Sequence, residues 1–196
     1  MSTLNNRKMQ PNEHYRLKKM ARLCQGQRVA DIGFAQTPNP YLQADWLIGV
    51  DPAATSVPSN YQNIYRGTLQ QFCETNPTTT FDSILAGELL EHLYHPMQFL
   101  QQCFDALAPG GVLVLSTPNP NSPIERLLTL RLNRRFFYTQ DHLMLFPQRW
   151  LLRMLETAGF IRCQLLSGGF PCPVLGLIPF PRPWCYQTIA VAYKPQ

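Results

Sequence analysis

Glu88, Glu91 and His92 stand at spacings i, i+3 and i+4 in the stretch Gly87-Glu-Leu-Leu-Glu-His-Leu. If that segment turns helically, all three side chains share one face. Two carboxylates and an imidazole so arranged can accept a proton or seat a divalent cation through oxygen and nitrogen. His142, in Tyr138-Thr-Gln-Asp-His-Leu-Met-Leu-Phe-Pro, arrives from the loop before a later helix and could complete the cluster. A structural role stays open beside these. Acids at a helix start are stabilised by its dipole, and a histidine there often bonds neighbouring backbone. His95 carries no comparable signal and reads as surface.

A second constellation lies upstream. Val29-Ala-Asp-Ile-Gly33 is a short apolar run ending in glycine, which reads as a buried strand stopping at a tight turn. Trp46-Leu-Ile-Gly-Val50 is another, and it ends on Asp51. In doubly wound sheets ligands bind at the carboxyl ends of the parallel strands, where an acid closing the second strand can accept from both ribose hydroxyls. Asp31 alone could merely cap the next turn. Paired with Asp51, it points to a nucleoside site.

The elements that must position these groups follow the chain. His14 to Cys24 has helical spacing, with basic residues opposite its apolar face. Two prolines make the stretch after Gly33 an irregular loop. Ile64 to Leu69 reads as a short third strand, Phe81 to Gly87 as a fourth, and Gly111 to Thr117 as the strongest strand of all. Pro96–Leu107 and Pro147–Ala158 have helical spacing, and Ile161–Leu166 and Tyr186–Tyr193 close the chain as strands. Alternation of this kind predicts an α/β fold with a largely parallel sheet covered on both faces. A proline-rich connection lets the closing strands pair antiparallel.

The composition allows one globular domain over residues 1–196, with 45% hydrophobic and 15% charged residues. Residues 1–12 are polar and are expected to be loose. The net charge of +5 suits a solvated surface, anionic lipid or nucleic acid. Six cysteines without a CxxC pair suggest neither a zinc knuckle nor a redox pair, and fit a reduced, cytoplasmic protein. The N-terminus lacks a hydrophobic signal core, and no apolar run approaches the ~20 residues that span a bilayer.

Val-Ala-Asp-Ile-Gly, Gly-Val-Asp-Pro, Phe-Asp-Ser-Ile-Leu-Ala-Gly-Glu-Leu-Leu-Glu-His and Leu-Ala-Pro-Gly-Gly-Val-Leu-Val-Leu-Ser-Thr occur here in that order. Together they resemble the class I S-adenosylmethionine-dependent methyltransferases, most closely the small single-domain group that includes the ubiquinone-pathway O-methyltransferases. The resemblance implies a Rossmann-like seven-stranded sheet, helices on both faces, an antiparallel last strand and S-adenosylmethionine as cofactor. It places Asp31, Gly33, Ala35 and Thr37 at the methionine moiety, and Asp51 at the ribose. Pro52, Ala53, Thr68 and Leu69 would surround the adenine, and Ala86, Gly87 and Glu88 would face the sulfonium and acceptor. The Glu-x-x-Glu-His pattern with His142 also looks like the divalent-metal site of ubiquinone-pathway and small-RNA 2′-O-methyltransferases. A cation there would bind a diol or catechol-like acceptor and lower its oxygen pKa.

The chain departs from the family where Gly-x-Gly-x-Gly is usual. It reads Gly33-x-Ala35-x-Thr37-Pro38, which forbids a conventional glycine loop. One reading is therefore a non-catalytic binding or scaffolding relative. The other is an enzyme that methylates oxygen on a small or lipid-linked hydroxyl compound. Residues 121–146 and 167–185, rich in apolar side chains, arginine and proline, would form a lid or rest peripherally on a membrane surface. RNA as acceptor is less favoured, because the basic residues lack interleaved stacking aromatics over most of their length.

Overall fold

A computed structural model describes residues 11–131, 142–172, 176–178 and 181–196. The parts of the expected lid at 132–141, 173–175 and 179–180 lie outside the described residues, as does the polar start of the chain.

Helix α1 (Pro11–Ala21) precedes strands β1 (Arg28–Ile32), β2 (Trp46–Val50) and β3 (Asn63–Tyr65). Then come α2 (Leu69–Thr75), β4 (Phe81–Gly87), a 3-10 turn at Leu90–His92, α3 (Pro96–Ala106) and the long β5 (Leu107–Pro118). Helices α4 (Pro123–Arg131) and α5 (Gln148–Thr157) lead to β6 (Ile161–Ser167). A small hairpin, β7 (Phe170–Cys172) and β8 (Gly176–Ile178), precedes the last strand, β9 (Gln187–Tyr193).

Seven strands form one sheet in the order β3-β2-β1-β4-β5-β9-β6, with β9 antiparallel to both neighbours. The Rossmann-like sheet expected from the resemblance is present. Strand order reverses between β1 and β4, so the crevice at their carboxyl ends is the natural ligand position. Gly33 and Gly87 follow or close those two strands.

The two faces are covered unequally. Ile32, Val50, Ile84, Ala86, Leu113 and Leu115 face one core, which α2, α3 and α5 close with Phe72, Leu100, Cys103, Leu151 and Leu155. On the other face Val29, Leu47, Leu85, Val112 and Val114 pack under Met20 of α1, with Phe34, Leu42, Ala54 and Tyr61 from irregular segments. The β7–β8 hairpin, a two-stranded sheet of its own, lies against α1. The prolines between residues 38 and 58 explain the asymmetry, since they leave no stretch there able to run as a helix.

Local chemistry fixes several boundaries. Thr68 and Gln71 form a reciprocal capping box at the start of α2. Pro96 opens α3, where its missing N–H is harmless. At Gly49 the β2 backbone is overlaid by Phe34, and a β-carbon there would come within 2.5 Å of the ring. Gly49→Ala is therefore expected to destabilise the fold by about 1–3 kcal/mol in urea titration, with partial recovery in the Gly49→Ala/Phe34→Leu double variant. A neutral Gly49→Ala would contradict this packing.

Candidate active site

The carboxyl ends of β1, β2, β4 and β5 gather the chemistry. Beyond β2, Asp51 caps its own turn: its Oδ1 accepts from Ala53 N at 2.7 Å and its Oδ2 from Ala35 N at 2.9 Å. Each oxygen keeps a lone pair for a further donor. Pro52 and Ala53 are exposed beside it, leaving room for a flat ring. Gly33 takes φ +76° as its N–H donates to Val50 O at 2.9 Å, a backbone that favours glycine.

Asp31 is buried, and its Oδ2 accepts from the Tyr61 hydroxyl. Burial pushes its pKa up to about 7, against the pull of Tyr61, the Asn39 N–H and the Arg16 charge. The Tyr41 hydroxyl lies 2.7 Å from His14 Nδ1 on α1.

Arg16 is the residue that sequence reasoning missed. It is only 4% exposed, and its Nη1 donates to Ser116 Oγ at 2.9 Å. A β-carbon at Gly87 would come within 2.8 Å of that guanidinium, so the arginine tip lies directly over the glycine. Its Nε has no hydrogen-bond partner. Arg16 and Met20 stand at i and i+4, so Met20 in the apolar stripe could have signalled that Arg16 faces inward.

The expectation of a helical turn through Glu88, Glu91 and His92 is corrected. Glu88 has φ +51°, and only Leu90–His92 forms a 3-10 turn. Glu88 is turned to β5 and β9: its Oε1 accepts from Ser116 Oγ at 2.8 Å and its Oε2 from Gln187 Nε2 at 2.7 Å. Glu91, His92 and His142 do come together. One ligand atom from each lies within 4.8 Å of the others, and the two imidazole centroids are 4.7 Å apart. Leu143 N donates to Glu91 O at 2.8 Å, which ties the His142 segment to the turn.

Glu91 is fully buried, and neither carboxylate oxygen has a hydrogen-bond partner. Burial and the nearby Glu88 charge push its pKa up to about 9. The Thr117 hydroxyl favours the charged form only in part, without reaching hydrogen-bonding geometry. Orphaned carboxylate oxygens beside two imidazoles are a donor set that fits a divalent cation. Glu125, from the first turn of α4, adds a further acid whose pKa is raised by burial and by Glu88.

Three expected cofactor residues have structural employment. Thr68 Oγ1 accepts from Gln71 N in the capping box, and Leu69 and Ala86 are buried in the core. Thr37 N donates to Phe34 O at 3.0 Å, which closes the turn that replaces the glycine loop.

The raised pKa of Asp31 has a sign. Between its unfolded value of 3.8 and about 7 the native state holds a proton that the unfolded chain releases. Its stabilising contribution is full below 3.8 and is lost as pH rises to about 7. Denaturation of wild type and Asp31→Asn is expected to show the variant gaining relative stability from about pH 4 to 7 and levelling above. A pH-independent difference would contradict the burial of this carboxyl.

The methyltransferase domain model matches residues 20–162. A probable S-adenosylmethionine-dependent methyltransferase of Mycolicibacterium smegmatis is 29% identical over 151 residues, 73% of this chain and 55% of that protein. A ubiquinone biosynthesis O-methyltransferase of Bradyrhizobium is 34% identical over 106 residues, 49% of this chain and 42% of that protein. The chain thus spans about half the length of the curated relatives it matches. Among solved structures, an S-adenosylmethionine-dependent methyltransferase of Thermotoga maritima, described as a possible histamine N-methyltransferase, superposes with TM-score 0.70 at 15% identity. It covers 92% of this chain and 87% of that one. A putative O-methyltransferase of Nostoc punctiforme gives 0.60 at 22% identity, over 91% and 55% of the two chains. With a family model matching most of its length and a sheet of the same topology, this chain belongs to the methyltransferase domain family of S-adenosylmethionine-dependent enzymes.

Proposed function

We propose that this chain transfers the methyl group of S-adenosylmethionine to an oxygen of a small or lipid-linked hydroxyl compound. The observation that carries the reading is the pairing, at one sheet edge, of an open nucleoside turn at Asp51 with a buried carboxylate and two imidazoles at Glu91, His92 and His142. A cofactor crevice filled by Pro38 or Tyr41 would favour the scaffold alternative; the Tyr41 hydroxyl is engaged by His14 on α1.

The bound sulfonium supplies an already electrophilic methyl group, which leaves alignment and proton removal to the protein. Asp51 accepts the ribose hydroxyls. Arg16, held over Gly87 by Ser116, offers its guanidinium to the cofactor's carboxylate. Gly33, Ala35 and Thr37 pass beside the methionine end by backbone alone. Glu91, His92 and His142 would hold a divalent cation, and one so bound would draw in an acceptor oxygen and lower its pKa. Without a cation, the imidazoles of His92 and His142 provide the proton acceptor, because burial keeps Glu91 protonated up to about pH 9.

An apolar acceptor is supported by the surface next to this cluster. Leu143, Met144 and Leu145 are consecutive and exposed, and Trp150 and Trp184 are about half exposed. Arg149 lies over the Trp150 ring, a mixture of cation and aromatic that suits a lipid–water boundary. No helix among the described residues is long and apolar enough to cross a membrane, so the contact proposed is peripheral.

Calorimetric titration tests the cofactor. S-adenosylhomocysteine is expected to bind wild type and to weaken roughly tenfold or more in Asp51→Ala. Absence of binding by wild type would sink the proposal. For the acceptor side, divalent cations should raise the melting temperature of wild type but not of Glu91→Gln. Methyl transfer to a catechol-like probe should fall roughly 10²-fold or more in that variant. An unchanged rate would remove Glu91 from the reaction.

A further inference from the structure

The loop from Phe34 to Leu42 contains no glycine, so it cannot be shaped by left-handed backbone in the way a glycine-rich cofactor loop is. It is tied instead by side chains from the segment between Pro58 and Gln62. Asn60 Nδ2 donates to Asn39 O at 3.0 Å and to Leu42 O at 3.1 Å. Asn39, fully buried, donates through Nδ2 to Leu17 O on α1 at 3.0 Å and accepts from Tyr41 N at 3.0 Å.

Tyr61 is the centre of this arrangement. It is 6% exposed, and its ring lies 5.4 Å from that of Phe34, which itself covers Gly49. Its oxygen accepts from Asn39 N at 3.0 Å, so its proton is directed to Asp31. One hydroxyl thus joins the acid that ends β1 to the backbone of the loop beyond it.

Resting on the cofactor reading above, we propose that Tyr61 is a positioning residue for the methionine end of S-adenosylmethionine, replacing the missing glycines. It fixes the backbone between Gly33 and Asn39 and the orientation of Asp31. It takes no part in holding the nucleoside, which belongs to Asp51 and its turn. Loss of the hydroxyl should therefore affect ligands that carry the amino-acid tail and spare those that lack it.

The test compares S-adenosylhomocysteine with 5′-methylthioadenosine, which keeps the nucleoside and lacks the amino and carboxylate groups. In Tyr61→Phe, calorimetry is expected to show a roughly tenfold weaker S-adenosylhomocysteine complex and an affinity for methylthioadenosine within about twofold of wild type. Hydrogen exchange of the amides from Phe34 to Leu42 should quicken in the same variant. Affinities for both ligands unchanged from wild type, or weakened by the same factor, overturn the proposal. Failure of wild type to bind either ligand overturns the cofactor reading itself, and this inference with it. Should Tyr61→Phe not fold, Asp31→Ala carries the same comparison, because it removes the acceptor that the Tyr61 hydroxyl serves, and the loop amides should again exchange faster.

Discussion

Burying a polar atom without a partner is costly, and folded proteins seldom tolerate it away from a functional site. Among the described residues four buried side-chain atoms lack a hydrogen-bond partner: Arg16 Nε, both oxygens of Glu91 and Thr117 Oγ1. Thr117 and the Arg16-bound Ser116 are successive residues of β5, while Glu91 lies in the turn that follows β4. The sheet therefore gathers its unsatisfied groups at one edge, the edge where strand order reverses. The Arg16 guanidinium and the Glu91 carboxyl are the ionisable groups among them.

The rest of the structure makes this edge possible. Three helices and a continuous apolar core on one face supply the stability, with Trp46 stacked on Phe81 and Phe72 of α2 tilted against the same ring. The opposite face has α1 as its main helical cover, and α1 brings Arg16 inward. Where proline excludes a helix, Phe34, Leu42 and Tyr61 fill the face from loops. That substitution has a consequence for chemistry, because the residues that fill the core also shape the loop beside Asp31. Core packing and loop geometry are coupled there through Tyr61.

Much of the fold was legible in sequence. The buried runs at Val29–Ile32, Leu47–Val50 and Val112–Leu115 are apolar on both faces because both are covered, and that pattern identifies a parallel sheet. Asp51 drew attention as an acid closing a strand, and the structure sets it beyond β2 with both oxygens accepting from backbone N–H groups. The convergence of Glu91 with His142 depended on a resemblance, since sequence spacing alone cannot bring residues 91 and 142 together. The helical turn through Glu88 was misread because helical spacing was assumed where a positive φ breaks it. Thr68 and Leu69 were assigned to adenine while local capping and core burial claimed them. The contacts of Arg16 and Tyr61 could not be read from sequence for a common reason: their partners, Ser116 and Asp31, lie 100 and 30 residues away.

The central claim is that the nucleoside end of the cofactor lies on Asp51 and its carboxylate end on Arg16. A crystal structure of the protein with S-adenosylhomocysteine tests it most directly. The account predicts both ribose hydroxyls on the Asp51 carboxylate and the ligand carboxylate on the Arg16 guanidinium, with the sulfur beside Gly87. A ligand bound elsewhere, or one that leaves Arg16 bonded to Ser116 alone, would contradict it.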